Sequence, residues 1–394
     1  MEQKIEAGAQ LEAGRGRPAR RAYGFDEVAL VPGAVTIDPE DVDISWSLGG
    51  RRFALPVLAS SMDAVVDVRF AGILGALGGL AVLNLQGVAT RYENPEAVIE
   101  RIVTAPVEQA VPTLQQVYAE PVKDELIKRR VAELRALGVP TAVASTPAAA
   151  RHVAGLIGPG GVDVFVVAST VTTARHLSSR YETPSLGEIR ELVGVPLIAG
   201  NCVTYEAGLE LMRAGVDGVL VGVGPGAACT TRRVLGLGVP QVTAVADVAA
   251  ARDDFEAETG KRVGVIADGG MRVGGDVSKA IAAGADAVMI GSPLARAEEA
   301  PGRGFHWGMA TSDRGLPRGT RIRVGTDGPL RQILLGPTSR DDGAMNLLGA
   351  LRLAMGCCGA ANIGEMQKVE LVIAPALPSE GKVEQRAQSV GMGK

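Results

Sequence analysis

A (β/α)8 barrel is the fold class this chain predicts, and three observations carry the prediction. Short, continuous apolar runs recur along it, as expected for parallel strands buried on both faces. Helical patterns separate most of these runs, giving about eight strand–helix units without a break. The polar and glycine-rich signatures follow several different runs, as they do where a barrel carries its site at the C-terminal ends of its strands. A doubly wound open sheet is the runner-up, but no GxGxxG follows an early strand.

The units read in order as follows. "LPVLASS" (55–61) precedes a helical pattern at 66–77, and "LAVLNL" (80–85) precedes one near 94–104. A long charged helix is predicted at about 119–137. Then come "TAVAS" (141–145), "VDVFVVAST" (162–170), "VPLIAGN" (195–201), "VDGVLVGVG" (216–224), "RVGVIADGG" (262–270) and "ADAVMIGS" (285–292). Helical patterns at roughly 147–156, 185–193, 204–214, 244–259 and 274–283 separate these later strands. Residues 1–22, with "GRGRPARR", read as a mobile, solvated basic arm. Residues 23–378 form the barrel domain, and 379–394 a C-terminal tail. Residues 300–345 are long, glycine-rich and basic, the pattern of a flap or lid.

Composition agrees with a large packed core. Of 394 residues 46% are hydrophobic, only 3% are aromatic and 52 are glycine, which suits Ala/Val/Leu layers joined by tight turns. A net charge of −4 points to neither nucleic acid nor an anionic membrane. The longest apolar run, "AGILGALGGLAVL" (71–83), is too short and glycine-rich to span a bilayer. The four cysteines, at 202, 229, 357 and 358, lack metal-ligand spacing, and the N-terminus lacks a secretory apolar core. A reduced cytoplasmic setting is the expectation.

Two turns look made for a phosphate ester. Asp268 ends one strand and is followed by Gly269 and Gly270; Gly291 and Ser292 end the next. Adjacent loops after strands seven and eight offer backbone N–H groups in a recurrent phosphate cradle, and a carboxylate can grip a pair of ribose hydroxyls. The alternative is that these glycines serve tight turns alone. "GVGPGAACTTRR" (222–233) sets Cys229 at the tip of a bare loop, as either a packed small residue or a nucleophile held over a substrate.

With these motifs in place the chain strongly resembles the IMP dehydrogenase/GMP reductase family, from about Tyr23 to Leu377. "GPGAACTTR" is similar to that family's active-site loop, "ASSMDAV" (59–65) to its early substrate strand and "AGNCVT" (199–204) to its nicotinamide-side strand. "ADGG", "IGS" and "LRLAMGCCGA" (351–360) resemble its ribose turn, phosphate turn and closing helix. The resemblance implies a cysteine thiolate that attacks C2 of the purine, hydride transfer to NAD, and hydrolysis of a covalent thioimidate. It makes Cys229 the nucleophile and Thr231 the hydroxyl beside the attacking water, although Thr231 could equally cap the following turn. Arg314 becomes the hydrolytic base, with an anion-binding or merely solvated role as the alternative. Ser60, Met62, Gly226, Asp268, Gly269, Gly270, Gly291, Ser292, Gly308, Met309 and Gly319 become nucleotide contacts, and Asn201, Ser169 and Thr170 lie at the cofactor. Potassium would sit on the carbonyls of Gly224, Gly226 and Cys229, completed by Glu380 and Gly381 of a neighbouring subunit. The implied partners are IMP and NAD, in a homotetramer or an octamer.

Four departures from the family pattern matter. Residues 86–118 run on where most members insert regulatory CBS modules, so control through those modules is not expected. Ala168 replaces the Asp that orients the cofactor, a loss of about 1–3 kcal/mol of binding. Ala227 replaces a serine near the phosphate. "SDRGLPRG" (312–319) keeps Arg314 but places Gly315 after it instead of Tyr. Two alternatives to an IMP dehydrogenase stay open: a GMP reductase using NADPH, and a paralogue that binds purine nucleotide without turnover. A flavin-dependent barrel oxidase is more distant, and a yellow preparation would mark it.

Overall fold

The computed structural model describes residues 11–179, 185–308, 321–338, 340–374, 385, 387 and 388. Its centre is a closed barrel of eight parallel strands. They are β1 (Val57–Ala59), β2 (Leu80–Asn84), β3 (Ala142–Ser145), β4 (Val164–Ala168), β5 (Leu197–Cys202), β6 (Gly218–Val221), β7 (Gly264–Asp268) and β8 (Ala287–Ile290). Each strand pairs with the next in sequence, and β8 closes on β1 through Met289 opposite Leu58. The predicted fold class is therefore the observed one, and all eight apolar runs supply a strand.

Side-chain alternation explains both the packing and the site. Leu58, Val82, Val166, Leu220, Ile266 and Met289 point inward and fill the barrel. Their neighbours Ala59, Leu83, Val167, Val221, Ala267 and Ile290 point outward to the helices. One further step of the inward parity reaches Ser60, Asn84, Ala168, Gly222, Asp268 and Gly291, so the same alternation that builds the core delivers these residues to the barrel mouth. At the other end a hairpin of Trp46–Leu48 and Arg51–Phe53 plugs the barrel. The Trp46 and Phe53 rings stack at 5.3 Å.

The barrel helices are α1 (Val68–Leu77), α2 (Asp124–Arg135), α3 (Pro147–Ile157), α4 (Leu186–Val193), α5 (Tyr205–Arg213), α6 (Gln241–Thr259), α7 (Gly274–Ala282) and α8 (Leu347–Cys358). Local chemistry sets several starts: Asp67 accepts from Phe70 N–H, Thr204 accepts from Ala207 N–H, and Ser185 with Glu188 forms a capping box. Among the described residues no helix is long and apolar enough to cross a membrane.

Three segments differ from the sequence reading. Between β2 and α2 lie two helices, Pro95–Thr104 and Val107–Ala119. The second was not foreseen, and it carries Pro112 inside it, a residue type that normally ends helices. The long helix predicted at 119–137 is correspondingly shorter. The supposed lid at 300–345 is partly core: Leu330, Ile333 and Leu334 of the helix Leu330–Leu335 are fully buried. Upstream, Phe305–His306 pairs antiparallel with Ile322–Arg323 as a short stem. Within the arm at 1–22, Leu11–Gly14 and Arg17–Ala19 form a hairpin, and Arg20 pairs with Asp247 on α6.

Candidate active site

A cavity of about 620 Å³ opens at the C-terminal ends of the strands, within the usual size range of small-molecule sites. All predicted site residues that fall within the described residues line it: Cys229 and Thr231; Ser60, Met62, Gly226, Asp268, Gly269 and Gly270; Gly291, Ser292 and Gly308; Asn201, Ser169, Thr170 and Gly224. Met309, Arg314, Gly319, Glu380 and Gly381 lie outside the described residues.

The cysteine loop leaves β6 through Gly222, where only glycine fits. Its φ is +154°, and a Cβ there would stand 2.2 Å from the Asp268 carbonyl oxygen. Gln241, the first residue of α6, clasps the same junction. Its Nε2 donates to the carbonyls of Val221 (2.6 Å) and Asp268 (3.2 Å), joining the ends of β6 and β7. Gly222→Ala is expected to destabilise the protein by about 3 kcal/mol or more, because dihedral strain and a backbone clash add. Thermal unfolding checks this, and an unchanged midpoint would contradict it.

Cys229 is exposed, and its Sγ lies 3.2 Å from Oγ1 of the buried Thr231. Its own N–H donates to the Gly226 carbonyl at 3.0 Å, closing the loop on itself. Thr230, not Thr231, is the N-cap of the helix Thr231–Leu235, so capping does not occupy the Thr231 hydroxyl. Arg232 laces the back of the loop: Nε donates to Val223 O (3.3 Å) and Nη2 to Val239 O (2.8 Å). The other cysteines differ. Cys202 is buried, and burial pushes its thiol up to about 12, so it holds no thiolate near neutral pH. Burial, with a smaller effect of Cys357, also raises the Cys358 thiol.

Asp268 stands at the end of β7, with one side open to the cavity and protein around the rest. Burial raises its carboxyl to about 6, against a smaller lowering from Asn201, whose Nδ2 donates to Asp268 Oδ2 at 2.7 Å. The residues assigned separately to ribose and nicotinamide sides are thus in direct contact. Gly269 and Gly270 follow with φ of +79° and +84°, and both pack on Pro225 of the cysteine loop. The Gly269–Gly270 turn and the cysteine loop therefore brace one another.

At the second predicted turn, Ser292 Oγ lies 3.0 Å from Nε2 of His306, which sequence reasoning missed. His306 is 1% exposed, and burial, with a smaller effect of Arg296, lowers it to about 4, so the imidazole is neutral at pH 7. Gln241, Arg296 and Asn84 were also missed. Only Asn84 had a readable signal, its inward parity two residues after Val82.

Among the residues predicted for the cofactor, Ser169 Oγ donates to Val171 O (2.7 Å) and lies 2.9 Å from Thr172 Oγ1, so its hydroxyl is engaged locally. Thr172 Oγ1 in turn donates to Gly200 O at 2.6 Å, tying β4 to β5. Ala168 and Thr170 line the cavity beside it, whereas the Asn201 amide, in a residue only 8% exposed, is held by Asp268. As to a cation, the loop carbonyls of Gly224, Gly226 and Cys229 fit a large monovalent ion in donor type, since such ions take neutral carbonyl oxygens. The Gly226 carbonyl already accepts one N–H and retains a second lone pair. Among the described residues no group of three or more His, Cys, Asp or Glu side chains is placed to hold a metal ion.

Comparison with known proteins bears on the family and the fold. The family model described as the IMP dehydrogenase / GMP reductase domain matches residues 22–314. An uncharacterized oxidoreductase of Mycobacterium tuberculosis is 40% identical over 372 residues, covering 92% of this chain and 99% of that protein. Inosine-5'-monophosphate dehydrogenase of Methanocaldococcus jannaschii is 30% identical, covering 94% of this chain and 96% of the enzyme. That alignment runs over 484 positions against the 394 residues here, so the archaeal enzyme carries segments this chain lacks. The crystal structure of an IMP dehydrogenase/GMP reductase-like protein from Corynebacterium glutamicum superposes with a TM-score of 0.87 at 37% identity, covering 92% of this chain and 97% of that one. The family match over residues 22–314, with relatives and a solved structure covering more than nine tenths of the chain, shows that it belongs to the IMP dehydrogenase / GMP reductase family.

Proposed function

We propose that the protein is an IMP dehydrogenase, converting IMP and water to XMP with reduction of NAD, through a covalent bond between Cys229 and the purine. The observation that carries this reading is the exposed Cys229 Sγ, 3.2 Å from a buried hydroxyl, on a cavity that also holds Asp268. Its thiolate adds to purine C2, with the bare loop around Gly224 and Gly226 letting the ring approach closely. NAD, when bound, accepts the hydride that leaves C2. Water then adds to C2 of the thioimidate, the C–S bond breaks, and the thiol is restored as XMP departs with release of a proton. Thr231, its hydroxyl 3.2 Å from the Cys229 sulfur, is assigned to hold that water, and Arg314 is the base assigned to deprotonate it.

Binding follows from the same geometry. The Asp268 carboxylate accepts the ribose hydroxyls, and the turns at Gly270 and Gly291–Ser292 present N–H groups to the phosphate, the Gly269 N–H being taken by the Met289 carbonyl. Ser60, Met62, Gly308, Met309 and Gly319 complete the nucleotide contacts. Asn201, Ser169 and Thr170 face the nicotinamide. Potassium on the carbonyls of Gly224, Gly226 and Cys229, with Glu380 and Gly381 of a neighbour in a tetramer, would hold the cysteine loop in shape.

The deciding experiment follows the absorbance of reduced cofactor on mixing protein, IMP, NAD and potassium, with GMP and NADPH run in parallel. NADH formation is the expected result. NADPH loss with GMP would assign a reductase instead. Silence in both, with IMP still bound, would make the chain a nucleotide-binding paralogue.

A further inference from the structure

The two helices between β2 and α2 reach both segments that frame one end of the cavity. Tyr118, near the end of Val107–Ala119, donates through Oη to Asp63 Oδ2 at 2.6 Å and accepts from Trp307 Nε1 at 2.8 Å. The same carboxylate oxygen of Asp63 accepts Val88 N–H at 2.9 Å. Asp63, Tyr118 and Trp307 are 3%, 6% and 0% exposed, so the relay is shielded from water, where hydrogen bonds are strong and a lost one is costly. Asp63 directly follows Met62, and Trp307 directly precedes Gly308; both of those neighbours line the cavity.

Further contacts fasten the same helix pair to the stem. Arg321 Nη1 donates to the Ile102 and Val103 carbonyls at 2.5 and 3.0 Å, and its guanidinium lies 4.8 Å from the Phe305 ring centre. Arg303 pairs with Glu100. Trp307 and Tyr118 share one apolar cluster with Ala64, Ile99, Ile102 and Leu114. Gly87 is pressed against the relay, since a Cβ there would stand 1.9 Å from Asp63 Oδ1.

We propose that Tyr118 is a positioning residue for the nucleotide, through which this helix pair fixes the separation of Met62 and Gly308. The proposal rests on the reading that those two residues face the nucleotide. It gives the β2–α2 connection a part in substrate binding although neither helix carries a cavity-lining residue.

Tyr118→Phe tests it, because the ring and its packing stay while the hydroxyl goes. The dissociation constant of IMP, measured by calorimetry on the full chain, is expected to rise about tenfold. Hydrogen exchange in the ligand-free protein is expected to quicken at the amides of residues 60–64 and 305–308. Adding Trp307→Phe removes the orphaned indole N–H, so the double variant is expected to lose less affinity than the two single losses multiplied. A lower thermal midpoint with IMP affinity and both exchange rates unchanged would overturn the proposal and leave Tyr118 a structural residue. If wild-type protein binds no IMP, the functional reading fails, and exchange alone decides whether the relay holds the two segments; unchanged rates would overturn it.

Discussion

Cys229→Ala is expected to abolish turnover and any covalent adduct with the nucleotide while leaving IMP binding within a fewfold of wild type. The thiol is the group assigned to the new bond, and the remaining cysteines offer no substitute. Cys202 is buried with its thiol raised to about 12, and neither Cys357 nor Cys358 lines the cavity. Binding is expected to survive because the contacts assigned to ribose and phosphate come from β7 and β8, and alanine keeps the loop backbone intact. Mass spectrometry of protein quenched during turnover reads the adduct, and calorimetry reads the affinity. Residual activity above about one part in a thousand of wild type would remove Cys229 from the mechanism.

Asp268→Asn is expected to make the ligand-free protein more stable at pH 7.5 and a poorer nucleotide binder. The folded carboxyl titrates near 6 against a reference near 3.8, so the folded state binds the proton more tightly. Its stabilising contribution is complete below pH 3.8 and is lost as pH rises through about 6. At pH 7.5 the wild-type protein therefore holds a charge that its surroundings disfavour, at a cost of about 1–3 kcal/mol once water in the cavity is allowed for. Asparagine removes the charge and still accepts from Asn201. IMP affinity is expected to fall at least tenfold with the loss of a charged acceptor for two hydroxyls. Stability lost at pH 7.5, or affinity kept, would contradict the assignment.

The same variant exposes an opposing group. His306 titrates near 4 in the folded protein against 6.5 as its ordinary value, so its contribution is present above 6.5 and is lost as pH falls towards 4. Between pH 4 and 6 the slopes of Asp268 and His306 have opposite signs and partly cancel. Asp268→Asn is therefore expected to lose stability more steeply than wild type on acidification from pH 6 to 4. Denaturant midpoints at the two ends of that interval read the difference.

Much of this molecule is legible in its sequence, because strand formation and strand parity are local. Eight apolar runs specify eight strands, and counting by two from Ile266 or Leu58 puts Asp268 and Ser60 at the mouth. The glycine turn at 269–270 and the bare loop around Cys229 are legible for a similar reason: each is set by the conformational range of its own residues. The second helix between β2 and α2 was hidden by Pro112, since tertiary packing of Leu114, Val117 and Tyr118 outweighs the local cost of a proline.

The barrel, the end of it that carries the cavity and the loop of the exposed thiol thus follow from the order of residues along the chain. The pairings do not. Asn201 with Asp268, Ser292 with His306, Gln241 with the ends of β6 and β7, and Tyr118 with Asp63 and Trp307 all join residues brought together only when the barrel closes. Tertiary structure also decides protonation, because the neutral His306 and the raised Asp268 owe their states to burial. A residue's parity follows from its neighbours in the chain, whereas its partners and its desolvation follow from which distant segments the closed barrel sets beside it.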